Sequence, residues 1–127
     1  MLLSGVRTVA VNHSHLIELG LKFPGASMKF PFRFDLPVLY VRGKMFALLG
    51  KQGSDQSVNL KTSPDEAGWQ RQTYPGSVIP GYHMNKEHWN TVILNGNVPD
   101  DVVLQMLHES YQRVVSKLPH KDRIGLE

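Results

Sequence analysis

Residues 83–96 read His83-Met84-Asn85-Lys86-Glu87-His88-Trp89-Asn90-Thr91-Val92-Ile93-Leu94-Asn95-Gly96. Asn85 has the short polar side chain that caps a turn opening at Lys86 and Glu87. His88 and Trp89 then lead into Thr91 to Leu94, a strand by its β-branched content, which Asn95-Gly96 ends. A large aromatic at the start of a strand usually packs, so Trp89 is expected to be a core anchor and Asn85 a cap.

Downstream, Pro99 suits an early helical position, and Asp100 and Asp101 complement the positive helix end. Val103, Leu107, Tyr111, Val114 and Leu118 then recur at spacings of three or four, one apolar stripe on a long helix that Pro119 closes. Upstream, Ser63-Pro64-Asp65-Glu66 is a strong helix start, with Ser63 as cap and Pro64 at the first turn. Gly68 weakens that helix, and Tyr74-Pro75-Gly76 ends it.

Further upstream the period changes to two. Val58 to Lys61 reads as a strand, and Val38 to Val41 and Met45 to Leu49 as a hairpin around Arg42-Gly43-Lys44. Met28, Phe30, Phe32 and Phe34 alternate with Lys29, Pro31, Arg33 and Asp35, which predicts a half-buried strand with its rings in the core. Pro31 cannot donate to a ladder and puts that strand at an edge or a bulge. Ser14 is placed to cap a short helix through Leu16, Ile17, Leu19 and Leu21, stopped by Pro24-Gly25.

Strands in the middle and helices at both ends predict an α+β domain, not alternating α/β. The expected form is a single domain with a twisted, mostly antiparallel sheet of about five strands, one face covered by the terminal helices. Residues 1–12 are expected to be a loosely ordered N-terminal extension, 13–123 the domain, and 124–127 a polar tail. At 127 residues the chain is one domain on length, with an ordinary 41% hydrophobic and 20% charged content. Cysteine is absent, which excludes disulfides, thiolate metal sites and cysteine nucleophiles. No apolar run approaches the roughly 20 residues of a membrane helix, and no signal-peptide pattern stands at the start, so the expected compartment is the cytoplasm.

The net charge of +3 is unevenly placed. Up to residue 60, Arg7, Lys22, Lys29, Arg33, Arg42, Lys44 and Lys51 face only Glu18, Asp35 and Asp55. A basic half favours anionic partners, nucleic acid first among them. The expected phosphate contacts are Lys29, Arg33, Arg42, Lys44 and Lys51. The competing reading is an ordinary solvated surface. Stacking of single-stranded bases on the Phe30, Phe32 and Phe34 rings is set aside here, because the alternation turns them inward.

Other chemistry is sparse. Lys61, His83, Lys86 and His88 would converge if the strand ending at Lys61 neighbours the one after Trp89. With the N–H groups of two helix starts, after Ser63 and after Asn85, they would form an anion pocket. Two ordinary capped helix starts explain the same residues. His83 and His88, with His13 or His15, match no recurrent zinc spacing, so no metal or cofactor is expected. There is no Gly-x-Ser-x-Gly turn and no phosphate-binding glycine loop. Asp65-Glu66 and Asp100-Asp101 belong to helix starts, so no catalytic constellation is recognised.

Leu60-Lys61-Thr62-Ser63-Pro64, then His83-x-Asn85-Lys86-x-His88-Trp89-x-Thr91-Val92, Asn95-Gly96, Pro99-Asp100, Ser110-Tyr111 and Leu118-Pro119 together resemble the MmcQ/YjbR family over residues 13–123. The resemblance implies a small α+β domain with a topology likened to secretion chaperones and frataxin-like proteins. It also implies a DNA-binding role through two hairpin-like wings, and it supplies no catalytic residues. The sequence departs from the family pattern in the extra Met1 to Asn12 and in the Gly68-Trp69 helix. The main expectation is therefore a small DNA-binding protein. The alternatives are a protein-interaction module using the Met28–Asp35 edge, or the small anion pocket.

Overall fold

The computed structural model describes residues 11–126. In chain order the elements are α1 (His13–Gly20), β1 (Ala26–Lys29), β2 (Val38–Val41), β3 (Lys44–Gln52), β4 (Asp55–Lys61), α2 (Pro64–Thr73), β5 (Val78–Pro80), β6 (Trp89–Ile93), α3 (Asp100–Ser116) and α4 (His120–Arg123). The six strands form one antiparallel sheet in the order β1-β2-β3-β4-β6-β5. The fold is thus the α+β architecture expected, with one strand more. The addition is β5, whose three residues pair with Val92, Thr91 and Asn90.

The tight hairpins follow from local chemistry. Arg42 and Gly43 both have positive φ, 49° and 78°, the double left-handed turn that matches strand twist. An arginine there is strained, and two hydrogen bonds offset the cost: its guanidinium donates to the carbonyls of Asp122 and Ile124 at 3.1 and 3.3 Å. Between β2 and β3 the register slips. Leu39 pairs with Ala47 and Tyr40 with Met45, so Phe46 is the extra residue of a β-bulge.

One sheet face carries the core. Leu39, Ala47, Leu49, Val58, Leu60 and Val92 meet Val103, Leu107, Tyr111 and Val114 of α3 and Leu16 of α1, all buried. The stripe read from the sequence is therefore the packed face of α3. Phe46 joins them through its bulge, with its ring edge-on to Tyr111 at 5.4 Å. Trp89 is buried as expected.

Four expectations are corrected. The strand forecast through Phe34 stops at Lys29, and Phe30, Phe32 and Phe34 are 48%, 62% and 90% exposed. Pro31 cannot donate to the ladder and ends it, so alternation beyond Lys29 no longer turns the rings toward the core. Helix α1 is capped by Asn12, not Ser14. The Asn12 side chain accepts from the His15 N–H, while His15 Nδ1 accepts from the Asn12 N–H. Val11 is buried and Asn12 caps, so the end of the supposed extension belongs to the domain; residues 1–10 lie outside the described residues. Leu126 is also buried in the core, so the tail is not uniformly polar.

His13 gives the fold a pH dependence. Its Nε2 lies 2.9 Å from the Ser57 carbonyl, and burial is the main reason its pKa falls below 6.5. The Ser57 and Gly50 carbonyls act in the opposite sense, and Lys51 adds to the lowering. Folding therefore favours neutral imidazole, and the unfolded chain binds the proton more readily. Stability should be level above about pH 6.5 and decline as pH falls from there through the folded-state value. Urea unfolding of His13→Gln should lack that part of the decline. An unchanged slope would remove His13 from the explanation.

Candidate functional site

The Phe46 carbonyl at the bulge and the Lys61 N–H at the end of β4 both bond to one side chain. Ser110, in the middle of α3, serves both at once. Its hydroxyl donates to the Phe46 carbonyl at 2.7 Å and accepts from the Lys61 N–H at 2.8 Å. This fully buried clamp brings the end of β4 against α3. Ser63 caps α2 immediately afterwards, accepting from the Glu66 N–H at 3.2 Å, as its place before Pro64 foretold.

Between these elements lies an open cleft of about 400 Å³, lined by Lys61, Thr62, Ser63, Glu66, Glu109, Gln112 and Arg113. Its electrostatics are cationic at the Lys61 end. Burial lowers the Lys61 pKa, and Arg113, Lys117 and Lys44, in decreasing order, lower it further. Lys61 Nζ also stands 6.0 Å from the centroid of the Trp89 ring. The Nε of Arg113 is shielded from solvent and has no hydrogen-bond partner. Glu66 and Glu109 line the same cleft, yet among the described residues the only ion pair is Arg33–Asp35. Four cations from β3, β4 and α3 thus crowd one end of the sheet with no ion-paired carboxylate.

The five cations expected to contact phosphate do not form one surface. Lys44 belongs to this cluster. Lys51 lies toward the other end of β3, roughly 23 Å along a strand rising ~3.3 Å per residue. Arg42 is committed to the carbonyls of Asp122 and Ile124 at the end of α4. Arg33 pairs with Asp35 at 3.1 Å, and Lys29 sits 5.5 Å over the Tyr40 ring. Strand length scatters them: Lys44 and Lys51 stand near opposite ends of one strand, and Lys29 pairs with Val38, away from the Arg42 turn. Arg113 and Lys117 were missed. Their signal was present as Glu109, Arg113 and Lys117 at four-residue spacing on the polar side of α3.

The anion pocket expected from Lys61, His83, Lys86 and His88 is only half assembled. Lys61 pairs with Trp89 across β4 and β6, and the His88 carbonyl accepts from the Thr62 N–H at 2.7 Å. The other two turn elsewhere. Lys86 Nζ donates to the Gly81 carbonyl at 3.2 Å, and His83, with φ of 60°, packs on Tyr82 at 3.9 Å between ring centroids. No helix follows Asn85. Its carboxamide oxygen accepts from the Glu87 N–H at 2.9 Å, a turn made by the side chain.

What holds this turn is Arg71 of α2, a residue the sequence reading passed over. Its guanidinium donates to Asn90 Oδ1 at 2.7 Å and to the carbonyls of Lys86 and Trp89. Asn90, buried, in turn donates to the Ala67 carbonyl and to Gln70 Oε1. Gly81 closes the other side, where a Cβ would stand 2.9 Å from the Trp89 carbonyl oxygen. Among the described residues no three His, Asp or Glu side chains gather as metal ligands, and no helix is long and apolar enough to cross a membrane.

Comparison with known proteins gives a consistent family. The YjbR family profile matches residues 21–113. The uncharacterized protein YjbR of Escherichia coli (strain K12) is 34% identical over 110 residues, covering 87% of this chain and 92% of that protein. The uncharacterized protein YbdF of Escherichia coli O157:H7 is 31% identical over 111 residues, covering 87% and 90%. Among solved structures, Deinococcus radiodurans protein DR2400, of domain DUF419, superposes with a TM-score of 0.85 at 31% identity, over 95% of this chain and 91% of that one. A Pseudomonas syringae crystal structure gives 0.69 at 28% identity, over 81% and 98%.

Proposed function

The chain belongs to the YjbR family, and from that premise we propose that it binds nucleic acid, DNA in the first instance, with Lys44, Lys61, Arg113 and Lys117 on the phosphates. The observation that carries the reading is the gathering of these four cations at one end of the sheet without ion-paired carboxylates among the described residues; burial lowers the Lys61 pKa, and the other three cations lower it further. Like charges held together raise one another's energy, and a polyanion relieves that repulsion while releasing its own counterions. The long helix α3 is not a recognition helix in this reading, since Asp100 and Asp101 at its start repel phosphate. Binding is then led by the backbone, modest in sequence preference, and cytoplasmic in setting.

Four phosphate contacts imply a salt slope of about −3.6, so affinity should fall roughly 100-fold between about 50 and 200 mM salt. Fluorescence anisotropy with a labelled duplex checks this. Lys44→Glu with Lys117→Glu should reduce the slope by about 2 and weaken binding at least tenfold. Lys51→Glu, toward the far end of β3, should change little. The reading fails if no binding is seen at low salt, if salt has no effect, or if the Lys51 variant is as damaging as the pair.

A further inference from the structure

The segment that ends β1 does the opposite of what its alternation foretells, and so reopens a question. Phe30, Phe32 and Phe34 all stand in water, Phe34 at 90% exposure. Exposed apolar residues scattered singly are ordinary, but three rings within five residues make a patch that calls for a partner. The loop is also built, not slack. The Leu36 N–H donates to the Arg33 carbonyl at 3.1 Å, and the Leu49 N–H donates to the Pro37 carbonyl at 3.0 Å. The one aliphatic side chain between Pro31 and Pro37, Leu36, is turned inward toward Gly50, where a Cβ would lie 3.6 Å from it. The large apolar side chains that the loop offers outward are its three phenylalanines.

Charge accompanies the rings. Lys29 and Arg33 are interleaved with them, and the Arg33–Asp35 pair is solvent-exposed, at 71% and 49%. Exposed pairs of this kind are weak and yield to a phosphate. Lys29 lies over Tyr40, which pairs with Met45, next to Lys44. Cation and ring therefore continue from the loop onto the adjoining strand, where Lys29 covers the Tyr40 ring.

We infer that this loop is a stacking platform for single-stranded nucleic acid, with bases on Phe30, Phe32 and Phe34 and phosphates on Lys29 and Arg33. The inference rests on the nucleic-acid reading above and narrows its ligand. A duplex hides its base faces in its own stack and leaves the rings unused, whereas an unpaired strand offers a π-face at every nucleotide. Charge complementarity favours the same partner, because the cations alternate with the rings along the chain. A lipid surface would have to accept Asp35 beside the inserted rings.

The test uses the full chain, fluorescence anisotropy, a labelled oligo-dT of about 20 nucleotides, longer than one binding site, and a duplex of equal length. Phe32→Ala with Phe34→Ala should keep the unfolding midpoint, because both rings are exposed. It should weaken oligo-dT binding at least about tenfold and leave duplex binding unchanged. Phe34→Trp should retain binding and show tryptophan quenching when oligo-dT is added. Equal losses for both ligands, or no loss for either, would overturn the platform while leaving phosphate binding intact. If the wild-type chain binds neither oligonucleotide, the parent reading fails and takes this one with it. If vesicles rich in phosphatidylserine capture the wild type and not the double variant, with oligo-dT binding unaltered, the loop is a membrane contact and the platform is overturned.

Discussion

Phe46→Ala is expected to destabilise the protein by about 3–5 kcal/mol, the usual cost of truncating a buried phenylalanine. The ring is fully buried and touches Tyr111 edge-on at 5.4 Å and Phe23 at 6.1 Å, so its removal leaves a cavity bounded by other rings. The bulge makes this position hard to relax. Phe46 is the extra residue between Ala47 and Met45, and its carbonyl is held by Ser110. Closing the hole would mean sliding β3 or breaking that hydrogen bond. Domains of this size are stable by about 5–15 kcal/mol, so the loss should be plain in urea unfolding as a lower midpoint with an unchanged slope. A loss below about 1 kcal/mol would mean that the ring is not part of the core as described.

Asn90→Ala should cost about 2–4 kcal/mol, because two of its hydrogen bonds are buried and a third is to a charged group. Without the carboxamide, Gln70 Oε1 and the Ala67 carbonyl lose a donor, and the Arg71 guanidinium loses its one side-chain acceptor. The damage should be local as well as global. Arg71 also holds the Lys86 and Trp89 carbonyls, so amide hydrogen exchange across residues 81–88 should quicken well beyond the rest of the sheet. Trp69→Ala, on the exposed side of α2, provides the contrast and should fall within about 0.5 kcal/mol of wild type. If the two variants are equally mild, the Asn90 network does not hold the turn.

The aromatic segment shows where pattern reading fails. Alternation reports which residues would share a side if the chain were extended. It does not report whether the ladder continues, and here Pro31 ends it after four residues. The rings are consequently outside, and a reading rejected on their supposed burial becomes the one best suited to them. The short strand β5 escaped notice for a related reason: three residues ending at Pro80 carry no period, and only pairing with β6 makes them a strand.

Local signals were legible wherever a few adjacent residues suffice. The stripe from Val103 to Leu118, the Ser63-Pro64 start, the Arg42-Gly43 turn and the buried Trp89 all follow from spacing or from backbone geometry within one turn. The family resemblance rested on such pieces in order, and it fixed the fold class. The candidate site is different in kind. Lys44, Lys61, Arg113 and Lys117 come from three elements, and their meeting depends on the bulge at Phe46 and the clamp at Ser110. Charge along a chain has no direction until strands pair, which is why a basic first half became a divided surface. Sequence alone settled the fold class, most of the helices and strands and the apolar face of α3, because those choices are made over a few residues. Tertiary packing decided which cations meet and which rings face water, because both depend on register between segments far apart in the chain.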